Sequence, residues 1–210
     1  MTKLAAPGYA PGDLSKEGSI ASFIDRVILR QHIWKQGRVY DPEGLLSTIP
    51  AVVTTLLGIL TGHWLRTERT RYEKVVGMFV AGAICVVLGW AWNPFFPINK
   101  ALWTSSYVLF TAGLALEFLA LCYWVIDIQG YRRWAWPFEV FGVNALALFV
   151  GTGLMVKLMG LWRVQGWIFK NLFLSWAQPI NASLFYAIAF ILLWLVLMWL
   201  LYRKRIYIKV

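Results

Sequence analysis

Glu117 is a carboxylic acid set within the apolar run TAGLALEFLALCYWVI, roughly 22 Å from the start, at Leu102, of the long apolar span that contains it, at ~1.5 Å per helical residue. An acid so placed is costly in hydrocarbon, and it is a candidate proton-coupling group or a protonated carboxyl bonded to a neighbouring helix. Ser106, Gly113, Glu117 and Trp124 fall within about 40° of one another on a helix, so the acid is expected to look into a helix interface. A second group of polar residues gathers at the ends of apolar runs. Asp41 and Glu43 precede the run that starts at Leu45, and PFFPINKALWTSSY brings Asn99, Lys100, Trp103, Ser106 and Tyr107 ahead of another. Together they offer acceptors, a cation and stacking surface to a polar ligand. Asp41-Pro42-Glu43 also has a purely local reading: Asp41 would cap the first free amides, Pro42 would take the first helical position, and Glu43 would lie at the positive end of the dipole. Asn144 shares a face with Ala147 and Gly151, where a buried amide can bond across a tight helix contact or meet a ligand.

The two histidines do not complete an active site. His32 falls on the polar side of a short amphipathic stretch and His63 at the far end of the first long apolar run, on opposite faces of any layer that run crosses. No Ser-His-Asp order, HExxH, P-loop or G-x-G-x-x-G occurs. Cys85 and Cys122 lie inside apolar runs without a C-x-x-C partner or metal-ligand spacing. No residue is assigned as catalytic or as a metal ligand.

Elements that could hold these groups follow from composition. The chain has 210 residues, 60% of them hydrophobic and 14% charged, with a mean hydropathy of +0.62. Soluble domains are about 45–50% apolar and 25% charged, so this is an all-α integral membrane protein. The net charge of +10 could suggest nucleic acid, but Lys and Arg sit between apolar spans, where membrane topology places them, and nucleic acid is not an expected partner. Residues 1–19 read as irregular chain. Ile20, Phe23, Ile24, Val27 and Ile28 then recur at helical spacing opposite Asp25, Arg26 and Arg30, an amphipathic helix suited to the membrane interface.

Five transmembrane spans are expected, at about 45–65, 75–92, 102–126, 137–158 and 182–202, each near the ~20 residues that cross hydrocarbon. Trp162, Trp167, Phe169, Phe173 and Trp176 form a second interfacial segment. Ser47, Ala51, Thr54, Gly58 and Thr61 make a small-residue stripe on the first span, with Gly58 and Gly62 in a G-x-x-x-G, so helix packing is expected there. The organisation is thus an extracytoplasmic tail, 1–44, and a transmembrane domain, 45–210. Arg66, Arg69, Arg71, Lys74, Arg132, Arg133, Arg203, Lys204, Arg205 and Lys209 gather on one face and favour a cytoplasmic carboxyl terminus. Leu4-Ala5-Ala6-Pro7 is too short an apolar run for a secretory signal. Export of residues 1–44 would be simplest with a further helix ahead of Met1, which suggests the carboxyl-terminal part of a larger protein.

SFIDRVIL at 22–29, YDPEGLLSTI at 40–49, FPINKALWTSSYVL at 96–109, FGVNALALFVG at 141–151 and the terminal YRKRIYIKV resemble, in order, the heparan-α-glucosaminide N-acetyltransferase family, bacterial members included. The resemblance implies a multi-helix membrane enzyme that takes acetyl from cytosolic acetyl-CoA and delivers it to a glucosamine amine on the far side, here of a bacterial cytoplasmic (inner) membrane. It also implies a catalytic histidine in amino-terminal helices that this chain lacks, to be supplied by the same protein's amino-terminal half or by a separate chain. The matching motifs carry Asp41, Glu43, Asn99, Lys100, Trp103, Ser106, Tyr107 and Asn144 as residues lining the substrate or CoA path. Glu117 is no feature of the family. Membrane lipid and an amino-sugar acceptor are the expected partners, and a homodimer is left open. The alternative function is a non-catalytic membrane scaffold or a transporter subunit, with Glu117 as the coupling group.

Overall fold

The computed structural model describes residues 4, 6–35, 37 and 39–208; Lys209, one of the charges used to orient the chain, lies outside them. Eight α-helices are present among the described residues and no strand: α1 Ile20–Leu29, α2 Leu45–Leu65, α3 Arg71–Trp92, α4 Ser105–Tyr123, α5 Trp136–Val143, α6 Ala145–Leu161, α7 Val164–Ile168 and α8 Pro179–Arg203. α2, α3, α8 and α4, prolonged to Ile128 by a wider π turn, are each long and apolar enough to cross a membrane. The all-α, multi-pass expectation is met by these four, with a fifth if α5 and α6 count as one. The chain divides into two compact units, one ending at Gly130 and one starting at Tyr131.

In the first unit, α3 starts at a reciprocal capping box: the Glu73 amide donates to Thr70 Oγ1 (3.3 Å), and Glu73 Oε2 accepts from the Thr70 amide (2.8 Å). This cap explains why the helix begins four residues ahead of the hydrophobic boundary expected at Val75. α3 packs along α4 through glycine. A Cβ on Gly82 would come within 3.0 Å of Gly113 O, and one on Gly89 within 2.6 Å of the Phe110 amide nitrogen, so the two backbones touch where no side chain fits. α2 joins this pair at its far end, where Trp64 lies over Gly77 and donates from Nε1 to Lys74 O (3.1 Å).

The start of α2 departs from the sequence expectation. Asp41, Pro42 and Glu43 do not cap the helix; they form a turn ahead of it, with Gly44 as N-cap and no acid in the first turn. The cap comes from α1, where Asp25 Oδ1 accepts the Leu45 amide at 2.9 Å. Gly44 is needed for that approach, because a Cβ there would collide with the Asp25 carboxylate. α1 therefore turns Ser22 and Asp25 inward and leaves Val27 and Ile28 exposed, the arrangement of a helix whose apolar side meets lipid.

In the second unit, the span expected at 137–158 is broken. α5 and α6 meet at Asn144 with a bend of 71°. Asn144 has φ −123° and ψ 39°, outside the helical region, and its fully buried amide bonds elsewhere: Nδ2 donates to Ile206 O (3.0 Å) and Oδ1 accepts from the Ile208 amide (2.9 Å). The expected bond across a helix contact is thus replaced by a two-point clamp on the segment after α8. Val140, Trp194 and Met198 form the core beside it. The aromatic segment after α6 sets Phe169 and Phe173 edge-on to Tyr186 of α8, at 6.0 and 5.6 Å, and leaves Trp162, Trp167 and Trp176 exposed.

Candidate functional site

α2, α3 and α4 run back and forth in the first unit, so the start of α2, the end of α3 and the start of α4 share one end. Ile49, Pro50, Val53, Trp92, Ser105, Val108 and Leu109 line a groove of about 270 Å³ there. The loop that closes this end is organised by two residues. Asn99 Oδ1 accepts the amides of Ala101 (2.8 Å) and Leu102 (3.3 Å), and its Nδ2 donates to Leu14 O (3.4 Å), tying the loop to the amino-terminal segment. Thr104 Oγ1 donates to Pro97 O (2.9 Å) and accepts the Asn99 amide (3.0 Å). With that proton committed, Ser106 must be the donor in its 3.2 Å contact with Thr104.

Trp103 leaves this loop with a positive φ of 49°, a conformation uncommon for a bulky residue. The backbone turn lays its indole along α2, where Nε1 donates to Thr54 Oγ1 (3.2 Å) while Thr54 donates to Pro50 O (3.1 Å). Tyr107 meets Trp103 edge-on at 5.3 Å, and no hydrogen bond engages its hydroxyl among the described residues. On the α1 side, Asp41 accepts the Trp34 amide (3.1 Å) and the Glu43 amide (3.0 Å), one on each oxygen. Trp34 packs edge-on to Tyr40, and Lys16 lies 5.1 Å over the Tyr40 ring. Arg26 reaches Val39 O (2.6 Å) and Glu17 O (2.9 Å), which fixes the loop between α1 and α2.

The expected site residues therefore separate by what their polar atoms already do. Asn99 and Ser106 are spent on the loop, and Asn144 is spent on its clamp in the other unit. Asp41 holds a turn but keeps lone pairs free, and Glu43 and Lys100 are exposed. Glu117 lies half-buried in the α3–α4 seam, its Cγ 2.8 Å from where a Gly82 Cβ would sit, with no hydrogen-bond partner among the described residues. The Ser106–Gly113–Glu117 face thus packs on α3. Gly58 and Gly62 of the other stripe meet nothing within 4 Å of a built Cβ. His32 and His63 are both exposed, and His63 stands about 27 Å along α2 from its start. Among the described residues no cluster of His, Cys, Asp or Glu could hold a metal.

In the sequence Asp25 stands only as part of a polar helix face. Its carboxyl is pushed above the ordinary carboxylate range, chiefly by burial and further by Asp41, against the opposing pull of the Leu45 amide and Arg26. One signal pointed to it: a glycine N-cap cannot satisfy the amides that follow, so another element must.

No family model matches the chain. Curated proteins do. Heparan-alpha-glucosaminide N-acetyltransferase from Homo sapiens is 29% identical over 227 aligned residues, covering 95% of this chain and 32% of that protein. The protein of the same name from Mus musculus is 29% identical over 221 residues, with the same coverage. The chain is similar to these two acetyltransferases over nearly its whole length. It spans about a third of the length of the curated acetyltransferases it matches. The alignment to these acetyltransferases takes in the acid turn, the 96–109 loop and Asn144 together, since it covers nearly the whole chain.

Proposed function

We propose that this chain is the carboxyl-terminal part of a membrane enzyme that moves acetyl from cytosolic acetyl-CoA to a glucosamine-type amine on the far side of a bacterial cytoplasmic membrane. The observation that carries the reading is the alignment along 95% of the chain to acetyltransferases acting, by name, on a glucosaminide. In the overall reaction the amine nitrogen attacks the thioester carbonyl, a C–N bond forms as the C–S bond breaks, the ammonium proton passes to a base, and the departing thiolate is protonated. A histidine holds such a proton near neutral pH without a large pKa shift. His63 is too far along α2, and His32 has no bonded carboxylate among the described residues to orient it, so we assign the base to helices beyond these 210 residues.

The end of the first unit that carries the acid turn is the proposed sugar-binding end. Asp41 and Glu43 accept from sugar hydroxyls or the amine, Lys100 offers a cation, and Trp103 with Tyr107 supplies a stacking surface. Asn99 and Ser106 act as positioning residues for that loop, and Asn144 for the second unit. This orientation puts residues 1–44 and the loop at 93–101 outside and the carboxyl terminus inside. A cysteine at position 99 labelled only from the cytoplasmic side would overturn it.

Acetyl transfer to glucosamine, measured in proteoliposomes of this chain joined to the family's amino-terminal helices, tests the assignment. Glu43→Gln and Lys100→Ala should raise KM for the amino sugar about tenfold each, the effect of losing one charge-assisted hydrogen bond, and leave KM for acetyl-CoA unchanged. A rise in KM for acetyl-CoA instead would assign this end to the donor.

A further inference from the structure

α6 ends in a turn that glycine usually makes. The Trp162 and Arg163 amides donate to Leu158 O and Gly160 O, both at 3.1 Å, and Arg163 takes the left-handed place past the helix end, at φ 56° and ψ 16°. Glycine is the common residue there because it has no Cβ to strain the backbone. Here the place is held by an arginine, which lines a groove of about 440 Å³ together with Met159, Gly160, Gln165, Gly166 and Phe169. Gly160 and Gly166 leave bare backbone in it, since nothing lies within 4 Å of a built Cβ at either. Met159 and Phe169 supply an apolar wall, and Gln165 an amide.

Two further exposed cations stand one helical turn from those glycines, Lys157 three residues before Gly160 and Lys170 four after Gly166. No acid of this unit neutralises them. Glu139 is the one Asp or Glu between Tyr131 and Val210, and it accepts the Tyr202 hydroxyl (2.9 Å), about 24 Å along α8 from the Tyr186 ring on which Phe169 packs. The dipole of α6 favours a cation in its last turn or just past it, which accounts for Lys157 and for charge at 163. It does not account for Lys170, or for arginine in a place that glycine fills without strain. Depth and shape narrow the anion that these cations call for. Trp162, Trp167 and Trp176 are exposed on the same segment, the placement of indoles at the headgroup level, and Leu161 and Ile180 are exposed apolar side chains suited to acyl chains. A soluble anion would leave the Met159 and Phe169 wall uncovered, and a zwitterionic headgroup would bring its own cation toward the three. An anionic phospholipid satisfies both the charge and the wall.

We propose that the groove where α6 meets α7 binds the phosphodiester of an anionic glycerophospholipid, with the Arg163 guanidinium as its principal donor. The reading is independent of the acetyl-transfer assignment, because it uses neither the sugar-binding end nor the acetyl donor.

The test uses the full chain in phosphatidylcholine nanodiscs with a trace of phosphatidylglycerol that carries a diazirine near its glycerol backbone. Cross-links should map to Met159 and Phe169. Replacing about a tenth of the phosphatidylcholine with unlabelled phosphatidylglycerol should halve them, a preference of about tenfold, the effect of one to two cations near the membrane surface. Arg163→Gly should lose most of that sensitivity and yet unfold no earlier than the parent on heating, because glycine relieves the left-handed strain. Arg205→Gly, which replaces another left-handed arginine, this one past the far end of α8, should leave the cross-links and their sensitivity unchanged. Cross-links that ignore added phosphatidylglycerol, the parent's sensitivity retained in Arg163→Gly, or loss of the cross-links to inorganic phosphate at constant ionic strength would each overturn the proposal.

Discussion

Asp25 and Asn144 are both buried, and both reach far along their own chain to hold backbone, yet they do it with different chemistry. Asp25 accepts one amide, that of Leu45, twenty residues on. Asn144 both donates to Ile206 and accepts from Ile208, more than sixty residues on. A carboxylate can only accept, and burial opposes its charge; an amide satisfies a donor and an acceptor and carries none. The Asn144 clamp is therefore one that pH does not reach, whereas the junction between α1 and α2 is held by a group that titrates.

Removing the neutral clamp should have the largest effect. Asn144→Leu leaves Ile206 O and the Ile208 amide without partners, and a loss of about 2–3 kcal/mol is expected in thermal unfolding in detergent. Residues 204–208 should also become quicker to cleave by protease. Asp25→Ala removes a single cap and should cost about 1–2 kcal/mol. Gly44→Ala should reach a similar value by a different route, since the new methyl displaces the carboxylate; measuring the double variant separates shared from independent loss. If Asp25→Ala proved as costly as Asn144→Leu, the comparison between the two would fail.

A smaller effect sharpens the comparison. Asp25→Asn keeps an acceptor for the Leu45 amide and drops the charge. The folded-state pKa of Asp25 is raised, so its native interactions are fully favourable below the ordinary value of 3.8 and weaken as pH rises through the raised value. The asparagine variant should therefore match the parent near pH 3.8 and gain on it toward neutrality. An advantage that grew on acidification would contradict the assigned cause. Smallest of all, Gly58→Ala should change stability by no more than about 0.5 kcal/mol, because its Cβ would meet open space, while Gly113→Ala should cost more, because its Cβ would lie 2.6 Å from Gly82 O.

The continuous spans were legible because twenty apolar residues in a row have few alternatives. Caps and breaks were less so. The acid beside α2 in sequence is Asp41, but the acid that caps it is Asp25, brought there by a loop whose path depends on Arg26 binding Val39 O and Glu17 O. The 137–158 run kept its apolarity through Asn144, and nothing local announced that Ile206 and Ile208 would draw the amide out of helical geometry. Asn99 and Ser106 were legible as motif residues; that they organise the loop from within follows from Thr104, which sits between them and drew no notice. For Glu117 the expected helix interface is there, with α3 as the partner.

These helices are proposed to form the sugar-binding part of an acetyltransferase whose proton-handling group lies elsewhere. Acetyl-CoA-dependent N-acetylation of glucosamine, measured with the purified 210-residue chain alone and again after co-expression with the family's histidine-bearing helices, tests it most directly. The account predicts no turnover by the chain alone and turnover on co-expression. Turnover by the chain alone, undiminished in a His32→Ala, His63→Ala double variant, would contradict it.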